Sequence, residues 1–373
     1  MRSFDVLILG AGIVGCACAL ECTRAGLRVG VIERDVPGGA ATAAGMGHIV
    51  VMDDSPGQLA LTLYSRSLWQ ELLPQLPAGV EYERRGTVWV AADDEEMVEV
   101  YAKRKTYALA GVKSEVLDAR ALAAAEPNLR PGLAGGLLVP DDAVIYPPTA
   151  AAFFLQEAVR GGAVLLRGQA ADRIGKGVVT LTDGSAYAVD RIVVATGADI
   201  RLLPWLPIQK RKGHLLITDR YPGFLHHQLV ELGYLKSAHQ IMSDSVAFNI
   251  QPRLTGQLLI GSSRQYGNEE PGIDQKVLRE MLERARSFMP ALAQISGIRA
   301  WTGFRAATPD KLPLIGATDD PAIFLAVGFE GLGITNAPGA ARLLVDGLLG
   351  RTSEIDATQF LPSRAAPMEA NHV

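Results

Sequence analysis

Four short stretches of the chain, residues 4–9, 27–32, 191–195 and 323–327, are nearly continuous apolar runs bounded by glycine or polar residues. That pattern marks strands buried on both faces, the kind found in the middle of a parallel sheet. Helical periodicity follows the first of them over residues 13–25 and stops at Gly26, a favourable residue just past a helix end. Strand, turn, helix and strand thus fill about thirty residues, the length of one βαβ unit. Further helices are predicted over 56–73, 93–110, 118–126, 149–160, 273–289 and 336–349, with Tyr146-Pro147-Pro148 as punctuation.

Between the buried runs the pattern alternates. Residues 80–91, 134–139 and 181–188 read as strands exposed on one side, the last following an Asp183-Gly184 turn, and 210–263 is rich in strand signals. Parallel internal strands separated by alternating segments predict an α/β chain of two domains. A discontinuous domain is expected over 1–82, 146–208 and 299–373, and a mainly antiparallel domain inserted as 83–145 and 209–298. At 373 residues the chain is long enough for a core in each. No internal repeat or low-complexity linker divides it.

Composition alters this picture little. With 36 Lys and Arg against 40 Asp and Glu the net charge is −4, which gives no electrostatic reason to expect nucleic acid or an anionic membrane. Cys16, Cys18 and Cys22, all the cysteines present, crowd one predicted helix, so no disulfide framework or metal cluster is expected and a reducing compartment is. The uncharged stretch Val6–Leu20 is short for a membrane span of about 20 residues, and three glycines interrupt it. It reads as strand, turn and buried helix of a cytoplasmic protein.

The chemistry begins at the first turn. Gly10-x-Gly12-x-x-Gly15 follows a strand and opens a helix, and Glu33 closes the next strand. In that context the glycines serve a tight turn, close approach to a pyrophosphate, and helix–strand packing. The helix N-terminus holds the diphosphate, and the acid accepts ribose hydroxyls. The expected architecture is therefore a Rossmann-type dinucleotide domain. Glu33 alone does not separate FAD from NAD. Residues 38–48 do more, because Gly38 to Gly47 is almost wholly small, as a peptide passing the face of a flat ring must be. Ala195-Thr196-Gly197 ends an internal strand where ligands of open sheets gather. Gly328-Phe329-Glu330-Gly331-Leu332-Gly333-Ile334 turns into a helix whose positive end suits the charge of a reduced flavin. FAD is the expected cofactor; no second G-x-G-x-x-G is present for a separate NAD(P)H domain.

These segments together resemble the D-amino-acid oxidase-like flavoproteins, a family that includes glycine oxidase, monomeric sarcosine oxidase and bacterial D-amino-acid dehydrogenases. DVLILGAGIVG, the 38–48 segment, VVATGAD and WTGFRAATPDKLPLIG…GFEGLGITNAPGAARLLVDGLL fall in the family's order across essentially the whole chain. The resemblance implies non-covalent FAD and makes Arg305 the holder of a substrate carboxylate. A guanidinium suits that role because it can bind the two oxygens at once. Ala306 stands where the family's block has proline. The stretch Phe248 to Arg264 is similar to the β subunit of the heteromeric branch: D-hydroxyproline dehydrogenase, opine oxidases and hydrogen cyanide synthase. That likeness implies partner subunits that take the electrons onward, with FMN as an additional group at an interface. Asn249 occupies the position of a glycine oxidase tyrosine, so substrate identity is not inherited from that enzyme.

The expected cofactor contacts are Gly10, Ala11, Gly12, Ile13, Val14 and Gly15; Glu33 and Arg34; Ala41, Thr42, Ala44, Gly45, Met46 and Gly47; Ala171; Ala195, Thr196 and Gly197; Arg305; and Gly331, Leu332, Gly333, Ile334 and Thr335. Substrate contacts are expected from Arg305, His48, Met46, Asn249 and Gln251, with Arg305 and His48 nearest the chemistry. The expected reaction is hydride transfer from an amine-bearing carbon to flavin N5, on a cyclic or secondary amino acid such as D-hydroxyproline or D-proline. A self-sufficient oxidase using oxygen, and an FAD-bearing relay subunit, remain as rival readings.

Overall fold

Two eight-stranded sheets, each with its own helices, face one another across a long cavity. The computed structural model describes residues 4–233 and 244–364; His239 lies outside them. The first sheet runs β17 (Leu314–Ala317), β18 (Ile323–Val327), β11 (Ala186–Val194), β1 (Phe4–Leu9), β2 (Val29–Glu33) and β8 (Val164–Arg167). All its neighbours along this path are parallel except the β17–β18 hairpin. Strands β9 (Ala171–Gly175) and β10 (Val178–Leu181) extend it as a meander off β11.

The four apolar runs are thus neighbours at the centre of this sheet, where both faces are covered and alternation would leave polar side chains dry. Helices α1 (Ile13–Arg24), α3 (Pro56–Leu72), α6 (Pro147–Arg160) and α8 (Gly333–Leu349) cover one face. The other face packs on residues 200–208, which supply Leu203, Leu206 and Ile208. Cys16, Cys18 and Cys22 are reduced and buried on α1, and burial pushes the Cys16 and Cys22 thiols up to about 12. At that value they are inert, packing as small apolar residues.

The second sheet runs β16 (Gly297–Ala307), β12 (Gln209–Arg220), β15 (Gln257–Tyr266), β14 (Ser245–Pro252), β13 (Gln228–Glu231), β4 (Thr87–Ala91), β6 (Gly135–Val139) and β5 (Glu115–Asp118). Its pairs are antiparallel apart from β13 with β4. Helices α5 (Ala119–Ala125) and α7 (Gln275–Phe288) cover one face, around Val88, Phe248, Ile250 and Phe288. On the opposite face α4 (Asp94–Leu109) packs at the β4–β6 end, and the remainder looks into the cavity. A short pair, β3 (His48–Ile49) with β7 (Ala143–Val144), ties the two parts together.

Several elements differ from the sequence reading. Residue 299, the expected boundary, falls inside β16, so Arg305 stands on the second sheet rather than the dinucleotide sheet. The strand expected from residue 80 begins at Thr87, after a 3₁₀ turn at Ala78–Val80. Helix α6 starts at Pro147 rather than 149, because proline's missing N–H costs nothing in the first helical turn. Helix α8 starts at Gly333 and carries Pro338 inside it. The carbonyl of Ile334 that Pro338 cannot bond accepts instead from the indole N–H of Trp69 at 3.3 Å. The small segment contains a five-residue helix, α2 (Ala40–Ala44).

Candidate active site

A single cavity of about 680 Å³ runs from Glu33 and Arg34 at one end to Asn249, Arg264 and Arg305 at the other. At the first end β1 delivers the chain to Gly10, whose φ of 101° is the left-handed region open to glycine. A side-chain carbon on Gly15 would lie 2.0 Å from the Gly10 carbonyl oxygen, and one on Gly10 would lie 2.6 Å from the Ala195 carbonyl oxygen. One on Gly12 would meet nothing closer than Thr42 Oγ1 at 3.4 Å, because that side of Gly12 opens on the cavity. The backbone therefore presents a bare peptide at the start of α1.

The Glu33 carboxylate accepts from the backbone N–H of Ala11 at 2.7 Å and of Asp35 at 2.8 Å. Both oxygens are held facing the cavity mouth and retain further lone pairs. Arg34 pairs with Asp35 and Asp199 at the rim. Hydrogen bonding from Arg201 holds Asp199 down at about 2. Ala171, Ala195, Thr196 and Gly197 line the same end.

The small-residue segment crosses the middle. Thr42 on α2 turns its hydroxyl to the Ile13 N–H at 3.0 Å, at the start of α1. A side-chain carbon on Gly303 would touch Ala44 Cβ at 2.4 Å, and one on Gly45 would reach Ile334 Cδ1 at 2.8 Å, so these residues are small because three elements converge. The Trp301 indole donates to the Ala44 carbonyl at 3.3 Å, and the Gln251 amide to the Met46 carbonyl at 2.6 Å. The carbonyl of His48 accepts from Thr335 Oγ1 at 2.8 Å. Its ring lines the cavity with Nε2 unpartnered among the described residues, and burial pushes its pKa down to about 4.

At the far end Arg305 rises from β16. Its Nη1 donates to the Ser263 carbonyl at 3.1 Å, and the guanidinium folds across Gly213 of β12. Arg211, opposite Arg305 in register, pairs with Glu330 and donates to the Tyr266 hydroxyl at 2.8 Å. The β14–β15 pairing shifts register between Val246 and Asn249, a bulge that accompanies the turn of Ser262 and Arg264 into the cavity. Trp89, Val230 and Asn249 complete the wall.

Residues 5–347 match the family described as FAD dependent oxidoreductase, DAO. The chain belongs to that family. It is 25% identical to glycine oxidase of Geobacillus kaustophilus over 97% of each chain. It is 26% identical to hydrogen cyanide synthase subunit HcnC of Pseudomonas aeruginosa, over 99% of this chain and 98% of that one. Among solved structures, a glycine oxidase from Geobacillus kaustophilus superposes with a TM-score of 0.88 at 24% identity, covering 98% of this chain and all of that one. L-proline dehydrogenase from P. horikoshii gives 0.88 at 22% identity over 97% and 98%. At these identities the structural likeness is one of fold.

FAD is therefore the cofactor, and the cavity fits it. The bare turn at Gly12 and the α1 N-terminus suit the diphosphate, the Glu33 carboxylate the ribose, and the close-packed Thr42–Gly47 peptide with the start of α8 the flavin end. Most of the sequence-predicted contacts line the cavity, including Ile13, Val14, Ala41, Ala44, Gly45, Met46, Gly47, Gly331, Leu332, Gly333 and Ile334. Others sit behind the wall. Ala11 and Gly15 shape the turn, while Thr335 anchors residues 48 and 50. Gln251, expected to touch substrate, is fully buried and instead holds the Met46 carbonyl.

Sequence reasoning gave no role in the cavity to Gly213, Trp89 or Gln58. Gly213 acts through a missing side chain, which no motif records. Trp89 read as an ordinary strand residue because its cavity face depends on pairing with a strand far along the chain. Among the described residues no helix is long and apolar enough to cross a membrane, and no group of three or more acidic, His or Cys side chains could hold a metal.

Proposed function

We propose that this protein oxidises a small cyclic or secondary amino acid, D-hydroxyproline or D-proline in the first instance, at the carbon bearing the amine. The observation that carries the reading is the Arg305 guanidinium, held over Gly213 on the wall of the same cavity that the Ala44–Gly47 peptide lines. It binds the acid's carboxylate by charge-assisted hydrogen bonds and thereby fixes the adjacent carbon. The names of relatives support the substrate class: glycine oxidase, iminodiacetate oxidase and L-proline dehydrogenase.

FAD, when bound, would supply a two-electron acceptor for the hydride lost from the amine-bearing carbon. The chain orients the substrate and sets its charge environment. With its pKa pushed down to about 4, His48 is neutral at ordinary pH, so it does not oppose the positive charge that develops on the amine nitrogen. Arg211 is matched by Glu330, which leaves the pair nearly neutral beside the carboxylate site. The amine reacts as its neutral form, so turnover rises with pH along the substrate's own titration.

Electrons then pass to partner subunits or a quinone-like acceptor; the similarity to a hydrogen cyanide synthase subunit supports a multi-subunit setting. The similarity to glycine oxidases favours a second reading, direct reoxidation by oxygen. Anaerobic mixing with D-hydroxyproline, D-proline, sarcosine or glycine distinguishes them. Bleaching of the flavin by one of these acids is expected; bleaching by none overturns amine oxidation. Slow recolouring in air together with rapid dye reduction supports the dehydrogenase, and fast recolouring the oxidase.

A further inference from the structure

We propose that the outward face of α4 is a contact surface for a second copy of this chain, with the two α4 helices paired antiparallel across a twofold axis. The inference is independent of the substrate reading above, because none of the residues it uses lines the cavity.

Helix α4 carries two seams of the same spacing. Glu96, Val100, Lys103 and Tyr107 are buried, and Val100 and Tyr107 pack in one cluster with Trp89 and Leu137 of the second sheet. Asp94, Val98, Tyr101 and Lys105 repeat that spacing of four, three and four residues, and all of them are exposed. The second set lies two positions back from the first, about 200° around the helix, so it faces directly away from the sheet. Among the described residues, six large apolar side chains are more than half exposed, and three of the six stand on this one helix: Val98 at 66%, Tyr101 at 57% and Leu109 at 84%. The other three, Val36, Leu254 and Ile298, are scattered singly over the chain. A helix face turned only to water is polar, so an apolar grouping of this kind marks a surface with a partner.

The order of residues along the seam says what that partner is. Spacings of four and three are those of a coiled coil, in which the first and fourth places of a seven-residue repeat face the neighbouring helix. Val98 and Lys105 take the first place, and Asp94, Tyr101 and Ala108 the fourth. Two such helices running antiparallel layer first-place residues of one against fourth-place residues of the other. Val98 of each copy then meets Tyr101 of the other in the two central layers, and Asp94 of each meets Lys105 of the other in the two flanking layers. Apolar contacts fill the middle and opposite charges close both ends. A parallel pairing would set Asp94 against Asp94 and Lys105 against Lys105, which repel. The sequence acid, apolar, apolar, base is thus complementary to its own reverse, as a patch used twice across a twofold axis must be.

The size of the seam sets the strength of the contact. From Asp94 to Lys105 it is about 18 Å long, and a pair of helices touching over that length buries less than the roughly 1,200 Å² at which stable complexes begin. The dimer is therefore weak and forms as concentration rises. Little ordering opposes it, because the helix is already held. The Asp93 carboxylate accepts from the Glu96 N–H at 2.9 Å at its start, and its inner face is packed on the sheet.

Sedimentation velocity of the FAD-loaded full chain tests the pairing. The particle mass is expected to rise from that of one 39.7 kDa chain toward twice that value between about 1 µM and about 1 mM protein, the range of a weak dissociation constant. Val98→Glu, which places a charge in both central layers, is expected to keep the protein monomeric throughout. Asp94→Lys and Lys105→Asp each set like charges in both flanking layers, so each is expected to raise the concentration for half-association at least about tenfold. The double variant Asp94→Lys with Lys105→Asp exchanges the two charges and is expected to recover the association of the unaltered protein. All four variants change exposed side chains and are expected to take up FAD, the check that they are folded. A chain that stays monomeric over the whole range overturns the proposal and leaves the seam to a partner of another sequence. A dimer that survives Val98→Glu, or that is indifferent to the single charge substitutions, also overturns it, since its contact lies on another face or runs parallel. Failure of the double variant to recover overturns the antiparallel layering.

Discussion

The side-chain amide of Gln251 donates to the backbone carbonyl of Met46 across 2.6 Å, joining β14 of the second sheet to the small-residue segment of the first. The two residues are 205 positions apart in sequence, and Gln251 is fully buried. That bond fixes the Met46 end of the small-residue segment, the peptide we assign to the flavin end of the cofactor. Gln251→Leu removes the donor and leaves a buried carbonyl without its partner, a loss of about 1–3 kcal/mol. The expected result is a lower unfolding midpoint and a weaker affinity for added FAD, measured by denaturant melts and by flavin fluorescence titration. Unchanged FAD affinity would show that Trp301 and the Ala44–Gly303 contact hold the segment by themselves.

Gly213 makes room for Arg305, since a side-chain carbon there would stand 2.4 Å from Arg305 Nη1. Gly213→Ala must therefore displace the guanidinium from its place over β12. FAD binding is expected to persist, because the dinucleotide turn lies on the other sheet, while the substrate concentration for half-maximal flavin reduction rises at least severalfold. Retention of wild-type values would mean that the arginine reaches substrate equally well from another rotamer.

Arg305→Ala removes the carboxylate's partner outright. Hydrogen bonds to charged groups contribute about 1.5–3 kcal/mol, which predicts a loss of roughly 10- to 150-fold in the second-order rate of flavin reduction. Arg305→Lys restores charge but not the two-point geometry, so its rate falls between the two. Equal rates for all three proteins sink the role.

The turn at the other end is less forgiving. A carbon added at Gly15 sits 2.0 Å from the Gly10 carbonyl oxygen, and backbone cannot yield as a side chain can. Gly15→Ala is expected to yield colourless protein that folds but does not take up FAD, read by absorbance after incubation with excess cofactor. A yellow Gly15→Ala protein would show that α1 can shift on β1 without losing the diphosphate site.

Much of this site was legible because its parts are local. The glycines at 10, 12 and 15, the acid at 33 and the bulk-free segment each state their requirement within a few residues. What stayed hidden is set by register. Gln251 was expected at the substrate as part of a patterned strand, yet that pattern only says that it shares a face with Asn249. Where the segment carrying Met46 crosses that face decides which of them meets the cavity and which meets backbone. Arg305 was found by resemblance, while its seat over Gly213 depends on β12 and β16 pairing in one particular register. Strand β8 escaped notice because four residues at a sheet edge carry too little pattern.

His48 makes a prediction about pH in which the sign matters. Its pKa falls from 6.5 to about 4 in the folded protein because burial disfavours the charged ring. Between those values the unfolded chain binds more protons than the folded one, so this residue makes stability rise as pH increases from 4 to 6.5, by about 3 kcal/mol at most. Asp142 acts in the opposite direction over much of the same range. Burial raises its pKa from 3.8 to about 6, so its contribution is present below 3.8 and is lost as pH rises through 6. The two slopes oppose each other, and the melt of the unaltered protein alone does not separate them. His48→Gln does, because it removes one of the two titrations and keeps a neutral polar side chain. Urea midpoints of the two proteins at pH 4.5 and pH 7 are expected to differ, with the variant losing less stability on acidification. If both proteins lose the same amount, the ring is protonated in the folded state at its ordinary pKa, and the neutral imidazole assigned to the cavity wall is excluded.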